Sequence, residues 1–273
     1  MIYFENVSYS RAKTEIIKSI SFRIRRGDFV SLIGANGAGK STLMRLCNGL
    51  LKPSSGTVKV CDLDTSVSKT SSIAKFAGFL FQNPDMQICR NTAREEIMFG
   101  LMCVLKDKRE IKRRCENTLM KFGFNGDTPP FTMSRGERQR LALASLLATE
   151  PELMLLDEPT TGLDHRESIE IMKCIKASSE NGTTVLMVSH DMEIVHDFAE
   201  EVMVLNGGCL LAKGSAKEIL RERTLLAEAS LLPPQITDLS LRLGEGFEDV
   251  STVEEMVSAV EKKHRRKQDE RFF

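Results

Sequence analysis

A mixed α/β fold with an antiparallel β-subdomain, a helical insertion and a small C-terminal extension is predicted by three observations. The apolar segment Phe29–Ile33 runs straight into a glycine loop, Gly34-Ala35-Asn36-Gly37-Ala38-Gly39-Lys40-Ser41-Thr42, which opens a helical stretch. A second apolar run, Leu153-Met154-Leu155-Leu156, ends in the acidic pair Asp157-Glu158. Between the two, residues from about 85 to 150 show helical spacing and no good strand. Strands alternating with helices imply a parallel sheet, which the helical block interrupts.

Taken in order, Ile2, Phe4 and Val7, then Ile16, Ile20, Phe22 and Ile24, alternate with polar residues and predict two or three antiparallel strands. The helix opened at Lys40 runs to about Asn48 and stops near Gly49. Residues 57–60 and 79–81 read as strands, the latter entering Gln82-Asn83-Pro84. Within the helical block, 92–99, 109–122 and 135–147 are predicted helices. The βα pattern returns with a strand at 153–156, a helix at 166–180 and a strand at 184–188. Segments 201–205 and 209–213 flank Asn206-Gly207, a hairpin signal. A tail from about Leu225 is broken at Pro233-Pro234 and ends in a predicted helix over 252–266. No internal repeat or low-complexity tract is present.

The 273 residues fit one large domain with appendages, or two domains. With 38 basic and 38 acidic residues the net charge is zero, so no nucleic-acid partner is expected. No stretch approaches the roughly 18 consecutive apolar residues that span a bilayer. The N-terminal residues lack the basic-then-apolar layout of a signal peptide. A soluble, cytosolic chain is expected, with any membrane role exerted through a partner. Seven scattered cysteines without a CxxC pair read as reduced thiols. The basic run over 262–267 reads as a solvated tail.

The glycine loop matches GxxxxGK[ST] between strand and helix. Gly34, Gly37 and Gly39 let backbone N–H groups turn inward around a β-phosphate, beside the positive end of the helix dipole. Asn36, Ala38 and Thr42 complete this nucleotide-binding set. Lys40 is placed to reach the β- and γ-phosphates, and the Ser41 hydroxyl to ligate Mg²⁺. ATP and Mg²⁺ are thus the expected ligands. Asp157, ending a buried strand, is expected to hold the Mg²⁺ directly or indirectly. Glu158 is expected to point the other way, because side chains alternate along an extended chain. There it is placed to polarise an attacking water.

Ser134-Arg135-Gly136-Glu137-Arg138-Gln139 resembles the signature motif of ATP-binding cassette (ABC) ATPases. Gln82 is similar to their Q-loop glutamine, Asp157-Glu158-Pro159-Thr160 to their Walker B, Gly162-Leu163-Asp164 to their D-loop and Ser189-His190-Asp191 to their switch histidine. The resemblance spans roughly residues 1–222, with the helical subdomain at about 85–150 and an extension over 223–273. It implies a P-loop NTPase core and an ATP sandwich dimer, homomeric or heteromeric. Ser134 and Gly136 of one subunit would contact the γ-phosphate held by the other. They also open the predicted helix at 135–147, whose N-terminus favours an anion. Glu137 and Asp164 join the nucleotide-binding set by resemblance. Glu158, His190 and Gln82 are the implied catalytic residues, with Gln82 also near the metal. His190 would bond the γ-phosphate and hold Glu158 and the water in line.

Two departures stand out. Arg135 replaces the usual first glycine of the signature, and Glu137 its glutamine. The adenine is usually stacked by an aromatic residue, and the spacing back from Lys40 places that position at Arg11. A guanidinium plane can also stack on a base, and Tyr9 lies two residues away, expected on the same strand face. Either is open.

Shorter segments narrow the branch. Phe81-Gln82-Asn83-Pro84-Asp85-Met86-Gln87-Ile88 and Arg94-Glu95-Glu96-Ile97-Met98-Phe99-Gly100 resemble energy-coupling-factor ATPases, the cobalt, nickel and vitamin importers. Leu232-Pro233-Pro234-Gln235-Ile236-Thr237 and the terminal Phe272-Phe273 resemble that group's C-terminal extension, which tends to support dimer contacts. The resemblance implies ATP hydrolysis that drives import of a metal ion or vitamin through a separate integral membrane subunit. The chain would sit peripherally on the cytoplasmic face of the membrane. Residues from about 82 to 105 would receive short helices of that subunit. Another transporter branch, or a soluble ABC ATPase without a transport role, are the alternatives. The latter usually carry a long coiled-coil insertion or two cassettes. A degenerate regulatory subunit is disfavoured by the intact Lys40, Asp157, Glu158 and His190. No residue encodes the solute.

Overall fold

A computed structural model describes residues 1–269, with side chains through His264. In chain order, β1 (Ile2–Arg11), β2 (Thr14–Ile24) and β3 (Phe29–Ile33) lead into α1 (Lys40–Cys47). Then come β4 (Ser55–Val60), β5 (Leu63–Asp64), α2 (Thr70–Ile73) and β6 (Ala77–Leu80). The helical block holds α3 (Ala93–Val104), α4 (Lys108–Phe122) and α5 (Arg135–Ala148). It is followed by β7 (Leu153–Asp157), α6 (His165–Glu180), β8 (Thr184–Val188), α7 (Met192–Phe198), β9 (Glu201–Asn206) and β10 (Cys209–Ser215). The chain ends in α8 (Ala216–Ile219), α9 (Arg223–Glu228), α10 (Gln235–Leu243) and α11 (Val253–Asp269).

Every residue of β3, β7 and β8 is buried, which is why these strands read as continuous apolar runs rather than alternating ones. They occupy the centre of a six-stranded sheet ordered β10-β9-β3-β8-β7-β6. All neighbours are parallel except β10, which pairs antiparallel with β9. Asn206 pairs with Cys209, so the hairpin turn is Gly207-Gly208, both at positive φ, one residue on from the expected Asn206-Gly207. The C-terminal ends of β6, β7, β8 and β3 therefore lie along one sheet edge, where open α/β sheets bind ligands. Gln82, Asp157-Glu158, His190 and the glycine loop all leave from that edge.

The second sheet, ordered β2-β1-β4-β5, is antiparallel. Ile2 pairs with Ile24 and Phe4 with Phe22, whose rings stack 4.5 Å apart. Their apolar face shares one core with Leu43, Met44 and Leu46 of α1, so this sheet seats the loop's helix. In the helical block, Ala93, Ile97 and Leu101 of α3 pack with Ile111, Cys115 and Leu119 of α4 and Leu141 of α5. Helix α4 ends at Gly123 in the left-handed region, φ 70°.

Some expectations shift. Strand β6 lies at 77–80 rather than 79–81, because the Phe81 N–H leaves the ladder for the Gln87 side chain. Pro233-Pro234 does not merely break the tail: Pro234 is the residue that precedes and caps α10, with an extended ψ of 147°. The predicted helix over 252–266 is α11. Phe272-Phe273 lie outside the described residues. Among the described residues, no helix is long and apolar enough to cross a membrane.

Candidate active site

The loop after β3 is shaped by close backbone approach. At Gly34, φ 153°, a Cβ would lie 2.1 Å from the Leu205 carbonyl oxygen of β9, so only glycine fits. Gly39, φ 106°, begins α1 without any side-chain cap. The first-turn N–H groups are thus left for an anion, with the helix dipole behind them. Lys40 is buried, and its Nζ donates to the carbonyls of Gly34 at 2.7 Å and Ala35 at 2.9 Å. Burial pulls its pKa down, opposed by the charges of Glu158 and Asp157.

Asp157 is buried at the end of β7 and accepts a hydrogen bond from the Ser41 side chain. Burial raises its pKa; the Ser41 bond works in the opposite direction and the Glu158 charge adds to the rise. A buried carboxylate beside a hydroxyl at the foot of a phosphate cradle fits Mg²⁺, a hard cation. No group of three or more His, Cys, Asp or Glu side chains among the described residues could hold a metal unaided. The ion's remaining ligands would then be phosphate oxygens and water.

Glu158 does not continue the strand. Its φ is +54°, so a left-handed residue, not strand alternation, swings its carboxylate away from Asp157. Its N–H is held by the Val188 carbonyl at 3.0 Å. The His190 Nε2 lies 2.7 Å from Glu158 Oε1. The other oxygen, Oε2, accepts Gln82 Nε2 at 2.7 Å and Thr161 Oγ1 at 3.0 Å. Side chains from the ends of β6, β7 and β8 thus converge on one carboxylate.

The cleft is lined by Asn36, Gly37, Gly39, Lys40, Ser41, Thr42, Gln82, Glu158 and His190, together with Ile16 of β2. Ile16 and Thr161 are additions to the set read from the sequence. Ile16 reads there as one more apolar strand residue. Thr161 arrives only because the turn at Glu158 closes on it, with the Thr161 N–H 3.3 Å from the Glu158 carbonyl. Neither Arg11 nor Tyr9 lines the cleft. Register shifts lie either side of Tyr9, where Tyr9 pairs with Ile17 and Ser10 with Glu15. The Tyr9 ring packs on the core of the antiparallel sheet, whereas Arg11 is exposed at the end of β1.

Ser134, Gly136, Glu137 and Asp164 also stand outside this cleft. Ser134 caps α5 in a capping box: its Oγ accepts the Glu137 N–H at 3.2 Å, and Glu137 Oε2 accepts the Ser134 N–H at 2.7 Å. Glutamate serves this box as well as glutamine, which accounts for that departure in the signature. Asp164 and Glu167 form the same device at the start of α6. The two caps are neighbours. A Cβ on Gly136 would sit 3.1 Å from the Gly162 carbonyl, and the Arg135 stem runs past Gly162.

A phosphate cradle at the edge of a parallel sheet, with carboxylates arranged around it, defines a P-loop nucleotide-binding protein. A family model described as ABC transporter matches residues 17–161. The energy-coupling factor transporter ATP-binding protein EcfA of Methanothermobacter thermautotrophicus is 43% identical over 263 residues, 93% of this chain and 85% of that protein. The structure of cbiO1 from Clostridium perfringens, described as part of the ABC transporter complex cbiONQ, matches with a TM-score of 0.73 and 32% identity. It covers 87% of this chain and 97% of that one. The ATP-binding cassette MJ0796, solved as a dimer in a post-hydrolysis state bound to ADP and Pi, matches with a TM-score of 0.71 and 28% identity over 79% and 99% of the two chains. Other curated relatives are longer, and the chain spans only 41% to 45% of their length. The chain belongs to the ABC transporter family, among its ATP-binding ATPase subunits, and is closely related to EcfA-type ATPases.

Proposed function

We propose that this chain hydrolyses ATP in a two-subunit sandwich and thereby drives import of a metal ion or vitamin through a separate integral membrane subunit. The observation that carries the sandwich is a separation. Lys40, Glu158 and His190 share one cleft, while Ser134 and Gly136 cap a helix outside it. A second subunit that brings its own α5 terminus to the cleft completes the anion site. The solved dimer of MJ0796 supports that arrangement.

In this reading the loop N–H groups and Lys40 bind the β- and γ-phosphates. Lys40 trades its Gly34 and Ala35 carbonyls for phosphate oxygens. Ser41 and Asp157, with Gln82 nearby, would hold Mg²⁺, and the ion would supply charge neutralisation on the phosphates. Glu158 takes a proton from the attacking water, and His190 and Gln82 fix the carboxylate that receives it. Ile16, which lines the cleft next to the loop, joins Arg11 and Tyr9 as a candidate to meet the base.

The importer branch is supported by likeness to EcfA and to cbiO1. Residues 1–222 form the ATPase domain. The extension over 223–273 supplies dimer contacts, supported by its exposed Leu239, Leu243, Val253, Val257 and Val260. The membrane subunit docks around residues 82–105, where Phe99 and Cys103 border a groove shared with Phe79. The chain then works as a peripheral subunit on the cytoplasmic face. Pulling the native complex from membranes and reconstituting it in proteoliposomes tests this. ATP-dependent solute uptake is expected, and the co-purified membrane protein identifies the branch. A complex with no membrane subunit sinks the transport reading.

A further inference from the structure

The turn that follows Gln82 is fastened to the helix that begins beyond Ser134. Asn83 Oδ1 accepts the Asp85 N–H at 3.1 Å and starts a 3-10 turn over Pro84–Met86. That turn presents Asp85 to α5, where its Oδ1 lies 2.7 Å from Arg138 Nε. The same guanidinium donates through Nη1 to the carbonyl of Met133, the residue just before Ser134. A second fastening lies further along. Gln87 Oε1 accepts the Phe81 N–H at 3.2 Å, and its Nε2 donates to Ala142 O of α5 at 3.4 Å. Gln82 itself donates to Glu158. One short segment thus touches the hydrolytic carboxylate at one end and the start of α5 at the other.

We propose that the Asp85–Arg138 ion pair is a strap that sets the Ser134 end of α5 according to where Gln82 stands, a proposal that rests on the composite site above. Neither side chain lines the cleft. Both are positioning residues that act through Gln82 and Ser134. Arginine suits the task because one rigid, planar guanidinium meets both groups: Nη1 donates to the Met133 carbonyl, while the Asp85 carboxylate lies against Nε as a charge partner. The Asp85 side chain is 57% exposed and that of Arg138 21%, so the pair contributes little to folding. Its effect falls on closure of the dimer.

Charge reversal at Asp85 tests the strap in the full-length protein. Asp85→Arg sets two guanidinium groups against each other, while Asp85→Glu keeps the ion pair. Three quantities are compared: affinity for a fluorescent ATP analogue, kcat, and ATP-dependent dimerisation in a Glu158→Gln background. Asp85→Arg is expected to lower kcat and dimerisation each by about fivefold or more, the usual size of intersite coupling. Analogue affinity should stay within about twofold, and Tm within about 2 °C. Asp85→Glu should restore both lost quantities. Unchanged closure in Asp85→Arg, an equal loss in Asp85→Glu, or a matching loss of analogue affinity or Tm overturns the strap and leaves the composite site standing. A wild-type protein that neither dimerises with ATP nor hydrolyses it overturns the composite site, and the strap with it.

Discussion

Glu158 and His190 meet across neighbouring strands of one parallel sheet, with His190 Nε2 2.7 Å from Glu158 Oε1. The pairing follows from topology. Strand β8 lies directly beside β7, and Asp157 pairs in register with Val188, two residues before His190. A left-handed turn at Glu158 then points its carboxylate along that edge. Gln82 and Thr161 donate to the second oxygen, so three side chains hold this carboxylate before any substrate arrives.

Replacing Glu158, the proposed base, should separate binding from chemistry. Glu158→Gln leaves one acceptor oxygen where the carboxylate has two, so an amide N–H₂ must face either His190 or the Gln82 and Thr161 donors. Hydrolysis is expected to fall by about 10²–10⁴, while ATP still binds and the closed dimer accumulates. Size-exclusion chromatography with ATP and Mg²⁺ should show that dimer. Turnover near the wild-type rate contradicts the role assigned to Glu158.

Glu137 occupies a position the family usually gives to glutamine, and the capping box explains why either suffices. Glu137→Gln should leave thermal stability almost unchanged. Glu137→Ala, which strips the Ser134 N–H of its acceptor, should cost about 1 kcal/mol, or roughly 2–4 °C in Tm. Paired melting curves check this. If the glutamine variant melts as early as the alanine variant, the box is not what Glu137 provides.

The Asp157 carboxyl carries a pH signature. Burial raises its folded pKa above the ordinary 3.8 of an aspartate. Its contribution to folding is therefore fully present below the unfolded value and lost as pH rises through the folded one. Denaturant unfolding without Mg²⁺, compared with Asp157→Asn, isolates the effect. The stability of wild type relative to the variant should fall as pH is raised from about 4 to about 7. A difference that grows over that range would falsify the burial-driven shift.

Much of this architecture was legible because its determinants are local. GxxxxGKS dictates strand, turn and helix at once, and β3, β7 and β8 announce themselves as apolar runs. The sequence carries no signal for α2, α7, α8 and α9, since 4, 7, 4 and 6 residues hold too little apolar period. The orientation of Glu158 was expected from strand alternation but arises from one left-handed residue, which residue type does not encode. Spacing likewise puts Arg11 and Tyr9 forward for the base; neither is among the residues that line the phosphate-loop cleft, and β1 is irregular in register against β2 there. Ile16 lines it instead because β2 reaches the loop, with Ile16 O 3.2 Å from where a Cβ on Gly39 would stand. Such contacts depend on how two sheets pack and have no signature in a single strand.

The central claim is that Ser134 serves the nucleotide held by another subunit, and mixing two inactive proteins tests it most directly. Lys40→Ala removes the buried ammonium of the phosphate cradle, so ATP affinity should drop by more than about threefold, beyond roughly 0.65 kcal/mol. Ser134→Arg places bulk and charge at the α5 terminus, where it should leave ATP binding to the monomer intact and abolish hydrolysis. In a mixed dimer both lesions fall in one composite site, and the other site keeps an intact loop and an intact signature. The measurement is ATPase activity of a titrated mixture of the two variants. The expected result is activity that appears only on mixing and peaks near equal amounts. Silence at every ratio, with mixed dimers verified by tag pull-down, or loss of ATP binding in the folded Ser134→Arg monomer, contradicts the account.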